Sequence, residues 1–179
     1  MDKCELNAVG LSEVWWPGKG EIVSETIQCS TQAELKLKKG VAVVLRNDVK
    51  RLTKVECYSD RLMFVKISAK PVDIVLVQVY MPTTNHDDDK IEKLYQEISE
   101  ILHQEGRCQV NAIVMGDFNS IVGEGSTDKV VGPFGLGIRN ERGKMLIDFC
   151  KQHDLVVMNT GFKKRKTKLY TWKSPGDRK

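Results

Sequence analysis

Asp117 and Asn119 stand two positions apart in Gly116-Asp117-Phe118-Asn119, directly behind the apolar run Ala112-Ile113-Val114-Met115. A run of that kind reads as a buried strand, so the carboxylate and the carboxamide are delivered to its C-terminal end, where open α/β sheets place their ligand sites. Two further junctions of the same sort occur at Leu11-Ser12-Glu13 and at Val77-Gln78-Val79-Tyr80-Met81-Pro82. Glu13, Asp117 and Asn119 form a hard-oxygen set. Mg²⁺ (or Mn²⁺ in its place) prefers one or two carboxylates plus water and substrate phosphate, and Glu13 alone could hold such an ion. Asp117 could then orient or deprotonate an attacking water, with Asn119 as its neutral hydrogen-bond partner. Tyr80 offers a phenol able to stabilise charge on a phosphoryl oxygen. Taken singly, Glu13 also reads as a strand-end carboxylate, Asp117 and Asn119 as turn formers, and Tyr80 as amphipathic packing. Three polar endings on three oily strands favour a shared site.

The elements that must carry these residues follow from periodicity. Residues 6 to 12 predict a short strand, followed by a loop through Trp15-Trp16-Pro17-Gly18-Lys19-Gly20, which is rich in turn formers. Val/Ile-rich runs at Gly40–Leu45, Leu52–Tyr58, Leu62–Ser68 and Ile74–Met81 predict antiparallel meander strands. Ile91, Leu94, Tyr95, Ile98, Ile101 and Leu102 fall at helical spacing. Asp87-Asp88-Asp89 before them reads as a helix cap rather than a metal site, and Gly106 as the stop. A second helix is expected from an Asn140 N-cap, with Met145, Leu146, Phe149 and Cys150 inward. Leu155–Met158 and Leu169–Trp172 read as strands. The glycines between Gly123 and Gly137 are too irregular for a phosphate loop. The sum is a single α/β domain over residues 1–179, with two mixed sheets in a sandwich.

Bulk composition limits the function classes. At 179 residues, 41% hydrophobic and 29% charged, the chain is large enough for a core and ordinary for a globular protein. No apolar run is long enough for a membrane span, and the N-terminus lacks a signal-peptide layout. Five scattered cysteines without CxxC spacing argue for reduced thiols and a nuclear or cytoplasmic location. The net charge of +4 is uneven: from Lys163 to Lys179 eight basic residues and one acidic give +7, while twenty basic against twenty-three acidic elsewhere give −3. This basic tail, led by Lys163, Lys164 and Arg165, reads as a phosphate-contacting strip, a nuclear localisation signal or a solvated loop.

Four motifs in order, Leu11-Ser12-Glu13, Val79-Tyr80-Met81-Pro82, Gly116-Asp117-Phe118-Asn119 and Tyr170-Thr171-Trp172-Lys173-Ser174-Pro175, resemble the endonuclease/exonuclease/phosphatase superfamily. Within it the chain looks most like endonucleases of non-LTR retrotransposons (AP-endonuclease-like) and the craniofacial development protein 2-like (bucentaur-related) proteins. Gly40–Val44, Ser59-Asp60-Arg61 and Gly135–Glu141 support the likeness, which covers about Leu6 to Pro175. The resemblance implies a DNase I-like fold and Mg²⁺-dependent cleavage of DNA. It places Glu13 as metal ligand, Tyr80 as transition-state stabiliser, Asp117 as the residue aligning water, and Asn119 as support for phosphate and aspartate. Trp172 precedes the substrate-facing loop, as packing or as a DNA contact. Thr83 stands where nuclease members often have Asn.

The resemblance also implies elements that residues 1–179 do not contain: a first strand with a Trp-Asn pair, an Asp-bearing strand near the end, and a Ser-Asp-His element. His86, His103, His153 and Asp177 are not expected to substitute for them. The expectation is therefore a truncated domain with impaired cleavage, open sheet edges and a tendency to self-associate. An alternative is a host-captured, non-catalytic remnant that binds nucleic acid or protein. A lipid or inositol phosphate hydrolase of the same superfamily is disfavoured by the retrotransposon-like stretches.

Overall fold

The computed structural model describes residues 6–16, 18–23, 27–33, 40–46, 49, 53–83, 88–105 and 110–169. The chain divides into two compact units, Met1–Asn119 and Ser120–Lys179. The first holds two four-stranded sheets. One has the order β1 (Ala8–Ser12), β4 (Gly40–Arg46), β3 (Ile27–Ala33), β2 (Gly18–Val23), all antiparallel. The other has the order β5 (Thr53–Ser59), β6 (Leu62–Ile67), β7 (Asp73–Tyr80), β8 (Val110–Asp117). There β5, β6 and β7 form an antiparallel meander, and β8 joins β7 in parallel after the helix α1 (Asp88–Glu105). A parallel neighbour needs a crossover of this kind.

Period-two alternation divides the apolar residues between two faces. Val41, Val43 and Leu45 of β4 pack with Met63, Val65 and Ile67 of β6 and with Leu76 and Tyr80 of β7 in one core cluster. Leu62, Phe64, Val75, Val77 and Val79 alternate with these and are fully buried. Lys66 belongs to their face and its Nζ meets Glu105 Oε2 of α1 at 2.7 Å, which sets the helix against it. Ile91, Leu94, Ile98 and Ile101 are the buried residues of α1, the stripe expected from spacing. Asp88 and Asp89 lie inside its first turn, where their charge complements the helix dipole; Asp87 and Gly106 are outside the described residues.

The second unit contains α2 (Glu141–Gln152), whose N-cap is Asn140. Its side-chain oxygen accepts from Gly143 N at 2.8 Å and also from Ile121 N at 3.1 Å. Arg139 stitches the preceding loop, donating from Nε to Val122 O and from Nη2 to Thr127 Oγ1. Leu146, Ile147, Phe149 and Cys150 are buried; Ile147 takes the inward position expected of Met145, which is half-buried.

Three expectations change. The expected loop through Trp15–Gly20 gives way at Gly18 to β2, which pairs with β3 as an antiparallel hairpin. Its strand formers are diluted by Gly, Glu, Gln and Ser, and pairing with β4 overrides that weak local pattern. The run at Gly40 belongs to the sheet of β1 and β3, not to the meander that starts at β5. Leu155–Met158 is no strand: after a left-handed turn at Asp154, Val157 makes one isolated bridge to Val131, then a 3-10 turn spans Met158–Thr160. Tyr170 to Trp172, the other expected strand, lies outside the described residues apart from Leu169. Among the described residues, β1 and β8 each end a sheet, and no helix is long and apolar enough to cross a membrane.

Candidate active site

The site is assembled where β1, β7 and β8 end. Glu13 follows β1 with φ 59°, a left-handed backbone that a non-glycine residue adopts at a cost. Val14 N then donates to Gly40 O at 3.0 Å, which fixes the chain beyond the turn. Tyr80 closes β7, its ring in the core and its hydroxyl donating to Glu13 Oε1 at 2.6 Å. Asp117 closes β8 in register with Tyr80. Met81 N donates to Asp117 O at 2.8 Å, extending the ladder by one bond.

Asn119 is fixed twice. Its backbone N–H donates to Asp117 Oδ1 at 3.0 Å, and its Nδ2 donates to Met81 O at 2.7 Å. Its φ of 46° lies in the left-handed region, which Asn tolerates better than most residues. Gly116 has φ 143°, and a Cβ there would stand 1.8 Å from Val79 O. Only glycine allows β8 to lie this close to β7 immediately before Asp117.

Glu13, Tyr80, Asp117 and Asn119 are thus drawn to neighbouring strand ends within the first unit. Lys163, Lys164 and Arg165 are exposed in the second unit, and Trp172 is outside the described residues. His103 is exposed near the end of α1 and His153 forms the C-cap of α2; His86 and Asp177 are outside the described residues. Cys57 and Cys150 are in no disulfide, and burial pushes the Cys150 thiol up to about 11.

Burial, then the hydrogen bond to Glu13, push the Tyr80 phenol up to about 12. It therefore stays protonated, and a donor, across the physiological range. Among the described residues no three His, Cys, Asp or Glu side chains form a ready-made metal cage. Mg²⁺ does not require one. A Glu13 carboxylate that accepts a single phenol hydrogen bond retains lone pairs for a cation, so the donor set fits a hard divalent ion with Asp117 beside it.

Three contributors escape a reading of the sequence. Arg61, in the turn between β5 and β6, places its guanidinium 5.0 Å from the Tyr80 ring centroid and donates from Nη1 to Tyr80 O at 3.1 Å. Its side-chain direction depends on a turn that carries no such signal. Gln78 is buried on the core side of β7, and its Nε2 donates to Ser12 Oγ at 3.1 Å. Ser12 Oγ in turn lies 3.5 Å from Val79 O. These contacts tie β1 to β7 one residue before Glu13 and two before Tyr80. Gln78 Oε1 has no partner among the described residues and lies against Gly10, where a Cβ would come within 1.8 Å. A lone amide in an apolar alternation was the available clue.

Residues 74–174 match a family model described as endonuclease-reverse transcriptase. Over 99% of its length the chain is 32% identical to craniofacial development protein 2 of Tragulus javanicus and of Bos taurus. It spans 31% and 30% of those proteins, less than a third of each. The endonuclease domain of TRAS1, a telomere-specific non-LTR retrotransposon, superposes with a TM-score of 0.57 at 15% identity, over 85% of this chain and 60% of that one. The AP endonuclease LMAP of Leishmania major gives 0.60 at 15% identity, over 86% and 59%. At that identity the two structures establish a shared DNase I-like fold.

Proposed function

The chain belongs to the endonuclease-reverse transcriptase family, within the endonuclease/exonuclease/phosphatase superfamily, and from that premise we propose a divalent-metal-dependent DNA phosphodiesterase site, of retrotransposon origin, built on Glu13, Tyr80, Asp117 and Asn119. The observation that most supports it is the 2.6 Å bond from Tyr80 to Glu13, with Asp117 in register beside it. Mg²⁺ or Mn²⁺ at Glu13 would neutralise phosphate charge and polarise the scissile bond. Asp117 aligns and deprotonates the attacking water, and Asn119 holds that carboxylate through its backbone N–H. Tyr80 carries one proton, so it serves either Glu13 or a phosphoryl oxygen at any moment. Lys163, Lys164 and Arg165 add sequence-independent attraction to the DNA backbone, with Trp172 as a further contact.

Turnover by residues 1–179 is expected to be slow, because no histidine among the described residues belongs to the cluster and general acid–base help is worth roughly 10²–10⁴-fold. The test is nicking of supercoiled plasmid by the purified chain. Weak nicking that requires Mg²⁺, is lost in EDTA and falls at least about 100-fold in Asp117→Ala supports the reading. Nicking indifferent to EDTA or to Asp117→Ala overturns it.

The exposed basic strip, with no imidazole among the described residues of the cluster, favours a second reading as a non-catalytic DNA-binding domain. Salt-dependent DNA binding without any cleavage would select it. Self-association through the strands that end the sheets among the described residues, β1 and β2 of one and β5 and β8 of the other, accompanies either reading; sedimentation velocity showing only monomer at high concentration would exclude it.

A further inference from the structure

The segment Lys163-Lys164-Arg165-Lys166-Thr167-Lys168 sets five cations and no acid around one hydroxyl. Lys163, Lys164, Arg165, Thr167 and Lys168 are all exposed. Elsewhere in the second unit lysines are neutralised, Lys144 by Glu141 at 2.6 Å and Lys151 by Asp128 at 2.7 Å. In the strip, among the described residues, no carboxylate pairs with Lys163, Lys164, Arg165 or Lys168, and nothing hydrogen-bonds the Thr167 hydroxyl. The main chain at Thr167 is a single 3-10 turn, Lys166–Lys168, closed by one bond from Lys168 N to Arg165 O at 2.8 Å. One solvent-exposed bond costs little to open, and the segment can then lie extended in the groove of another protein.

Kinases choose substrates partly by charge pattern, and a free hydroxyl with four cations directly ahead of it suits a groove lined by carboxylates. Thr53 also follows two cations, Lys50 and Arg51, but its main chain is committed to β5 in register with Ile67. We propose that Thr167 is a phosphorylation site for a Ser/Thr kinase with an acidic substrate groove, and that its modification releases the strip from DNA. Thr167 Oγ1 attacks the γ-phosphorus of ATP, the bond to the ADP oxygen breaks, and the hydroxyl proton passes to the kinase's catalytic aspartate. The added phosphate carries about −1.5 to −2 at pH 7, which takes the six-residue strip from +5 to about +3. Its oxygens also accept charge-assisted bonds from the neighbouring cations, which are then lost to the DNA backbone. The release rests on the reading of this chain as DNA-binding; the modification does not.

The experiment incubates the 179-residue chain with Mg-ATP and the catalytic subunit of the cyclic-AMP-dependent protein kinase, and locates the phosphate by mass-spectrometric fragmentation. Uptake should fall on Thr167, vanish in Thr167→Val and persist in Thr167→Ser. No uptake, uptake on Thr53 in its place, or equal uptake by Thr167→Val overturns the site. Metal-free anisotropy with one labelled duplex then reads the release. The phosphorylated chain should bind roughly tenfold more weakly, and its plot of log affinity against log salt should be shallower by roughly 2. Unmodified Thr167→Val should bind like the parent, which assigns the loss to the added charge and not to the missing hydroxyl. Unchanged affinity after phosphorylation at Thr167 overturns the release and leaves the DNA reading standing. Failure of the unmodified chain to bind the duplex overturns the DNA reading and the release together, while the phosphate map judges the site by itself.

Discussion

The Glu13–Tyr80 contact joins residues 67 positions apart, on strands of different sheets, whereas Asp117 and Asn119 are two positions apart and are held largely by main chain. The first half of the rim exists only because the two sheets pack face to face and set β1 against β7. The second is a local turn at the end of β8, anchored to Met81 O. One half should therefore respond to anything that shifts the sandwich, and the other chiefly to changes in its own few residues.

The largest effect should come from breaking the local half at its base. Gly116→Ala sets a methyl group against Val79 O in a left-handed backbone, and a loss of roughly 3–5 kcal/mol is expected, read as a fall in urea midpoint. A tolerated alanine would mean that the end of β8 is free to move. For the long-range half, a stability cycle of Glu13→Gln with Tyr80→Phe should show coupling of about 1–2 kcal/mol. Glu13→Gln with Asn119→Ala should be additive within about 0.5 kcal/mol. Coupling in the second cycle and none in the first would reverse the comparison.

The Tyr80 phenol gives a pH signature for the same half. Its pKa in the folded chain is raised to about 12 from about 10 in the unfolded chain. The stabilisation is then complete below pH 10 and is lost as the pH rises from 10 through 12, because the unfolded chain releases that proton first. Urea midpoints measured across this window should decline in the parent and decline less in Tyr80→Phe. Gln78→Met conserves volume and removes both the donor to Ser12 and the unpartnered oxygen. Stability should change by less than about 1.5 kcal/mol, while the alkaline titration of Tyr80 moves down as Glu13 loosens. An unmoved titration would show that the Ser12 contact does not position the carboxylate. Smallest is Asn119→Gly, which relieves the left-handed backbone and loses the bond to Met81 O. A net cost of about 1 kcal/mol or less is expected, measured by thermal melting.

How much could be read from the residues follows the same division. Asp117 and Asn119 announced themselves because an oily strand and a short polar turn are local signals. The stripe Ile91–Leu94–Ile98–Ile101 and the Asn140 cap were legible for the same reason, as was the strand of Tyr80. The β2–β3 hairpin was not, since its sequence has weak alternation and it is built by pairing with β4. Leu155–Met158 misled in the opposite sense: Val156 and Met158 are apolar yet 51% and 59% exposed, and the turn at Asp154 is what stops a strand there. Arg61 and Gln78 depend on which strand faces which, information that no window of neighbouring residues contains. The roles proposed for Glu13, Tyr80, Asp117 and Asn119 rest on the order of motifs along the chain, and only folding says that Tyr80 and Glu13 touch.

A Cβ at Gly10 would meet the amide of Gln78, which reaches that space from the opposite sheet. In descendants of this chain the two positions should therefore tend to change in concert, a larger residue at 10 accompanying a shorter or displaced side chain at 78.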